Sequence, residues 1–270
     1  MKFLLRILLI IIALPAFFGS HAYGRDLSSP DMARILERGK LVVAVVVTED
    51  YPFFMKTPGG NDTGFDIDMA RDIAARLGVG VEFNRKAATY NEVIDIVAHK
   101  EADLGISDLT TTLERAKKVS FTIPYLKLNT YILANRRQAI AYRHTSTRGI
   151  VNRHGVTIMA ERGTSYVQFV KKEFPLATVI LHEDFDEGLQ EVLKGNAFGL
   201  FAGEAYVKTL VRERSEVYLY LETLMIEGLT DRIAIAVPWA SVHLLAWLNL
   251  YLKTDMAGIT IDEILNRYPR

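Results

Sequence analysis

Two hydrophobic periods alternate along this chain, and each switch between them marks an element. Ser29-Pro30 reads as an N-cap with proline at the first helical position, and Gly39 as the residue closing that helix. Leu41 to Val47 is a continuous, mostly β-branched run, as in a parallel strand covered on both faces. A turn follows at residues 57–62. Ile67, Ala70, Ile73, Ala74 and Leu77 then recur at helical spacing, with Gly78 as terminator. Val79 to Phe83 reads as a strand. Thr89 with Glu92 predicts a capped helix ending near His99, and Asp103 to Ile106 another strand.

The second half repeats the rhythm. Strands are expected at Val156–Met159, Val179–Leu181, Ala197–Phe201 and Ile233–Val237. Helices are expected from Thr164 towards Phe174, from Asp184 to Lys194, from Glu204 to Val211 and from Ser241 to Lys253, with a short one from Ile261. Such alternation predicts parallel α/β sheets. The units are too many for one compact sheet, so two lobes are expected. Clefts between α/β domains are where small ligands bind.

Composition narrows the picture. The chain has 270 residues, 50% of them hydrophobic, enough for a sizeable core. Its 32 basic residues balance 32 acidic ones, without the basic excess expected of a nucleic-acid binder. Lys2 and Arg6 precede an apolar stretch from Ile7 to Phe18, and small residues follow at Ser20, Ala22 and Gly24. Residues 1–24 therefore read as a cleaved secretory signal, since the run is shorter than the ~20 residues of a spanning helix. Without cysteine there is neither a disulfide nor a lipoprotein anchor, so a protein free in the periplasm is expected. One asymmetry stands out. Between Glu114 and Glu161 there is no acidic residue, but there are eight Lys and Arg from Lys117 to Arg153. A solvated surface and a docking face for a partner or anionic lipid are both compatible with that run.

The densest chemistry lies between Gly64 and Tyr125. Gly64-Phe65-Asp66-Ile67-Asp68-Met69-Ala70 opens an amphipathic helix. Asp103 to Arg115 is a buried strand leaving its sheet through a hydroxyl-rich turn to a lone arginine. Oxygen donors followed by a guanidinium fork suit a carboxylate.

This run resembles the bacterial periplasmic solute-binding proteins that capture polar amino acids for ABC importers. The resemblance is weaker but in register through Gly163-Thr164-Ser165 and residues 195–204. It implies a two-lobe, type II periplasmic-binding-protein fold. Lobe 1 would comprise residues 25–128 and 230–270, and lobe 2 residues 129–229, with two crossings between them. It implies that Tyr51 and Tyr90 pack on the ligand and that Ser107, Asp108 and Thr110 offer hydroxyl and backbone groups. Arg115 would bind a carboxylate, and Thr164 and Ser165 would close on it from lobe 2. For Tyr51 and Tyr90 core packing is the alternative, for Arg115 a place on a charged helix surface, and for Thr164 a plain helix cap. The implied partners are a small amino acid or carboxylate and a membrane permease or receptor, for a monomer needing no cofactor.

The sequence also departs from the family. An aspartate expected to hold the ligand's ammonium is replaced by Gly203. Glu204 is the first candidate to take over and Asp108 the second. Glu161 stands where the pocket wall is usually apolar or amide. These changes leave a cationic amino acid and an amine-free carboxylate both open. No nucleophile elbow, metal motif or phosphate loop is present. One enzyme in the superfamily, cyclohexadienyl dehydratase, works through an acidic cleft residue. That role remains an alternative for Asp108, Glu161 or Glu204, as does a ligand-sensing module for a membrane receptor.

Overall fold

Two five-stranded sheets organise the chain in the computed structural model, which describes residues 29–142 and 145–269. The leader read at residues 1–24 lies outside them, as does Arg143 of the basic run. The first sheet runs in the order Gly80–Ala87, Lys40–Val46, Leu104–Gly105, Ala236–Val237, Ser120–Phe121. Its first three strands are parallel, and the last two join antiparallel. The second sheet runs Leu221–Ile233, Leu126–Asn135, Gly199–Gly203, Thr157–Glu161, Thr178–His182. There too the last three are parallel and the first two antiparallel.

The expectation of purely parallel sheets is therefore corrected to mixed ones. In the first sheet the reason is Ala236–Val237, which runs antiparallel to both its neighbours, and in the second it is the pair of long strands, Leu126–Asn135 and Leu221–Ile233. They run antiparallel to one another and carry the chain out of the first lobe and back. Their register shifts between Met225 and Thr230, so two pairing segments meet at an irregularity.

Local signals explain most boundaries. Ser29 is the N-cap and Pro30 the first residue of the helix Pro30–Arg38, which ends at Gly39 with φ 67°. Thr89 Oγ1 accepts from Glu92 N at 3.3 Å and starts the helix Tyr90–Ala98. Asp184 accepts from Glu187 N at 2.8 Å and starts Phe185–Lys194. The helix Phe65–Arg76 buries Phe65, Ile67, Met69, Ala70, Ile73 and Ala74 against the first sheet.

The second sheet shows its alternation. Ile132 and Ala134 face a core with Ile158, Val170, Phe174 and Phe201. Leu133, between them, faces the opposite core with Leu189, Val192, Leu200 and Leu210. Each fully buried aliphatic or aromatic side chain contributes roughly 1.5–3 kcal/mol.

Four of the eight residues of the basic run make ion pairs among the described residues, Arg136 with Glu222 among them. Lys117 pairs with Glu114, Lys118 with Asp95 and Arg148 with Glu173, while Arg153 lies over the Tyr142 ring. These pairs favour the reading as a solvated surface.

Candidate functional site

The parallel strands of both sheets end at one place. Asp50 follows Lys40–Val46, Asp108 follows Leu104–Gly105, Tyr90 follows Gly80–Ala87, and Glu161 ends Thr157–Glu161. Open α/β sheets bind ligands at the carboxyl ends of their strands. Here these ends meet around a small cavity of about 30 Å³, lined by Asp50, Tyr90, Asp108, Thr110, Arg115, Glu161, Thr164, Ser165, Tyr166 and Phe185. That is room for about two water molecules. A wider chamber of about 630 Å³ shares Asp50, Tyr90, Asp108, Glu161, Tyr166 and Phe185 with it.

Arg115 anchors the first-lobe wall. It lies on the short helix Leu113–Ala116, capped by Thr112 Oγ1, and is only 5% exposed. Nε donates to Asn91 Oδ1 at 3.2 Å and Nη1 to the Thr110 carbonyl at 3.0 Å. Nη2 is buried without a hydrogen-bond partner. Two of the three guanidinium nitrogens are thus used to fix the fork and the third is left for something else. Burial lowers the Arg115 pKa, opposed by the charge of Asp231.

Asp108 sits beside it in the left-handed region, with φ 45°. Aspartate tolerates that conformation better than most residues. The kink is held by Asp66, whose Oδ2 accepts from Asp108 N at 2.7 Å and whose Oδ1 accepts from Tyr125 Oη at 2.8 Å. Asp66 is fully buried on the apolar face of its helix. Asp108 Oδ1 has no hydrogen-bond partner.

The acids outnumber the base. Burial pushes Asp66 up to about 7, with the hydrogen bonds from Asp108 N and Tyr125 opposing. Burial pushes Asp231 up to about 6, restrained by the Thr110 hydroxyl and Arg115. Burial, reinforced by Asp50, Asp231 and Asp66, raises Asp108 well above the usual carboxylate range. Burial, with Asp50 and Asp184, pushes Glu161 up to about 8. Taking several carboxylates out of water around one guanidinium costs free energy unless further positive charge arrives.

The second-lobe wall is made of hydroxyls and rings. Thr164 Oγ1 donates to the Glu161 carbonyl at 2.8 Å and accepts from Tyr166 N at 3.2 Å. Ser165 Oγ donates to Thr110 Oγ1 at 2.9 Å, a buried bond between the two lobes. At Gly163, φ 78°, an added Cβ would meet Thr89 side-chain carbons at 3.0 Å, so the lobes touch there too. The structure is therefore in a closed arrangement. Tyr166 packs on Phe201 with ring centroids 4.8 Å apart, and Phe185 stacks on Tyr206 at 4.4 Å.

Of the residues singled out from sequence, the structure brings Tyr90, Asp108, Thr110, Arg115, Glu161, Thr164 and Ser165 to this cavity. Three others lie elsewhere. Tyr51 borders only the wider chamber, because its hydroxyl turns away to donate to the Tyr268 carbonyl at 2.6 Å. Asp50, one residue earlier, takes the inner place. Ser107 is buried in the sheet, its Oγ accepting from Val46 N at 3.1 Å. Glu204 accepts from Asn129 N at 2.8 Å and pairs with Lys208 at 3.0 Å, so it anchors the crossing and does not face the cavity. Nor can a side chain at 203 replace it, since a Cβ on Gly203 would meet Tyr166 Oη at 2.5 Å. The phenol of Tyr166 fills that space.

Sequence reasoning missed Asp50, Asp66, Tyr166, Phe185 and Asp231. Asp66 carried a signal, a carboxylate on the apolar face of a helix. Tyr166 directly follows Thr164-Ser165. Asp231 and Phe185 are brought in by tertiary contacts alone.

The family model for bacterial extracellular solute-binding proteins, family 3, matches residues 42–270, and this chain belongs to that family. It is 23% identical over 224 residues to ABC transporter arginine-binding protein 1 of Escherichia coli, covering 82% of this chain and 88% of the relative. It is 28% identical over 165 residues to cyclohexadienyl dehydratase of Pseudomonas aeruginosa, covering 61% of this chain and 59% of that enzyme. In fold it resembles a binding component of an ABC transporter from Wolinella succinogenes complexed with lysine, with a TM-score of 0.72. That match is 25% identical and covers 86% of this chain and 96% of the other. The chain is thus a solute-binding protein of the two-lobe α/β type. Among the described residues no helix is long and apolar enough to cross a membrane.

Proposed function

We propose that this protein captures an amino acid with a basic side chain in the periplasm and presents it to an ABC importer. The observation that carries the reading is one buried guanidinium with Nη2 unpartnered, facing a cavity that Asp50, Asp108 and Glu161 also line. The guanidinium suits a carboxylate, and the acids suit more than one cation. The Escherichia coli relative is an arginine-binding protein and the Wolinella succinogenes neighbour is complexed with lysine, and both ligands fit the same chemistry. Arg115, Asp108 and Thr110 hold the ligand's head on lobe 1, and Thr164 and Ser165 close from lobe 2. The lobes divide near 128/129 and 229/230, a placement supported by the pairing irregularity between Met225 and Thr230. The protein acts as a monomer after removal of residues 1–24.

Closure shifts with ligand only by the ligand's differential affinity for the closed form. Differential scanning fluorimetry against the common amino acids and their amine-free analogues tests the proposal. L-arginine, L-lysine or L-ornithine at ~100 times its Kd should add about 2.7 kcal/mol of stability. Binding confined to amine-free carboxylates overturns it.

A second reading is favoured by one observation. Glu161, pushed up to about 8, is a carboxyl held protonated near neutrality inside the cavity. That is the requirement for a general acid, and a dehydratase is among the relatives. Incubation with prephenate and arogenate separates the readings. Consumption abolished by Glu161→Gln, with binding retained, makes it an enzyme.

A further inference from the structure

Glu161 is a carboxyl of the cavity that neither the fold nor the amino-acid head group accounts for. This inference rests on the reading of the site as an amino-acid receptor. Arg115 and Asp108 both come from lobe 1 and serve the α-carboxylate and α-ammonium. Glu161 comes from lobe 2, at the end of its strand, and lines both the inner cavity and the wider chamber. Its carboxylate takes no hydrogen bond or ion pair from the described residues. The neighbouring cation is committed elsewhere, since Arg162 Nε pairs with Glu183 at 2.8 Å. His182, its register partner on the adjacent strand, is buried, and that burial lowers its pKa. The other titratable groups near it are Asp50, Asp184, Tyr90 and Tyr166, none of them cationic.

We infer that Glu161, with Asp50 beside it, selects ligands bearing a second positive charge on the side chain. Without that cation, burial and the two neighbouring acids keep Glu161 protonated around neutral pH. A cation placed against it favours the ionised form, so capture at pH 7 expels a proton. Discrimination and proton release then share one residue.

L-arginine and L-citrulline test this, being near-identical in length but differing in charge at the far end. Isothermal titration calorimetry at pH 7, in two buffers of different ionisation heat, should show arginine binding wild type roughly 10- to 100-fold more tightly than citrulline. Arginine should release up to about one proton and citrulline none. Glu161→Gln should bind both about equally, keep its citrulline affinity and release no proton. A measurement on unmodified protein stands beside this, independent of how the variant folds. Arginine affinity should rise from pH 6 to about pH 8 while the citrulline profile lacks that rise. Preference and proton release both surviving in Glu161→Gln, or identical pH profiles for the two ligands, overturns the inference. Failure of the amino-acid reading looks different, because then neither compound nor L-lysine binds wild type at all.

Discussion

The two walls of the cavity are built on different principles. Lobe 1 contributes charge that the fold has already fixed. Arg115 is held at two of its nitrogens, and Asp108 is kinked into place by Asp66, itself held by Tyr125. Lobe 2 contributes short hydroxyls, two rings and one carboxyl with no hydrogen-bond or ion-pair partner among the described residues. The first wall resembles a receptor organised before the ligand arrives, and the second a cover whose contacts form on closing. Pre-organised charge loses little side-chain entropy on binding, whereas closure contacts set which closed complexes persist.

The comparison breaks most easily at Arg115. Arg115→Ala should lose about 2–5 kcal/mol of affinity while circular dichroism shows the fold intact. Arg115→Lys should not restore it, because an ammonium cannot donate to Asn91, Thr110 and a carboxylate in one plane. Wild-type affinity in either variant removes lobe 1 from the role of receptor.

Asp108→Asn comes next. Asparagine also accepts the left-handed backbone, so the turn should survive and the loss reports charge alone. Calorimetry should register about 1.5–3 kcal/mol less affinity for amine-bearing ligands.

The pH dependence of stability sharpens the contrast between a fixed wall and an acidic one. Asp231, Asp66 and Glu161 are raised to about 6, 7 and 8, against ordinary values near 4. An acid raised in the folded state holds its proton more tightly there than in the unfolded chain. Its favourable contribution is complete below the unfolded value and lost as pH rises through the folded one. The ligand-free protein should therefore weaken between about pH 4 and pH 8, by more than the ~1.4 kcal/mol of a single one-unit shift. Urea midpoints at pH 5.5 and pH 8 measure the drop, and a saturating basic ligand should narrow it. A flat or rising profile contradicts the buried-acid account.

Ser165→Ala probes the cover. It removes the bond to Thr110 between lobes and should cost about 0.5–1.5 kcal/mol of affinity. The radius of gyration of the ligand-free protein by small-angle scattering should shift towards the open form. Glu204→Gln is the mildest change. It should lower stability by about 1 kcal/mol through its crossing contacts, with ligand affinity unaltered in calorimetry. A lost affinity would return Glu204 to the cavity.

The sequence by itself determined the elements and much of the lobe 1 wall. Capping residues, glycine stops and hydrophobic period act within a few residues, so Thr89, Asp184, Gly39 and Gly78 could be read directly. Asp108, Thr110 and Arg115 share one turn and one short helix, so their proximity followed from chain connectivity. Tertiary structure alone decided what depends on direction and on distant partners. A one-residue difference in a loop put Asp50 in the cavity and turned Tyr51 to Tyr268, because the chain turns at Tyr51, where Phe53 N and Phe54 N donate back to the Asp50 carbonyl at 2.8 and 2.9 Å. Glu204 went to Asn129 because the crossing strand offered it an N–H. Asp231, which follows Arg115 by more than a hundred residues, reached it only because the returning strand pairs beside Thr110. Burial, which raises Asp66, Asp108, Glu161 and Asp231 above the ordinary carboxylate range, is a property of the assembled lobes and has no local signature in the chain.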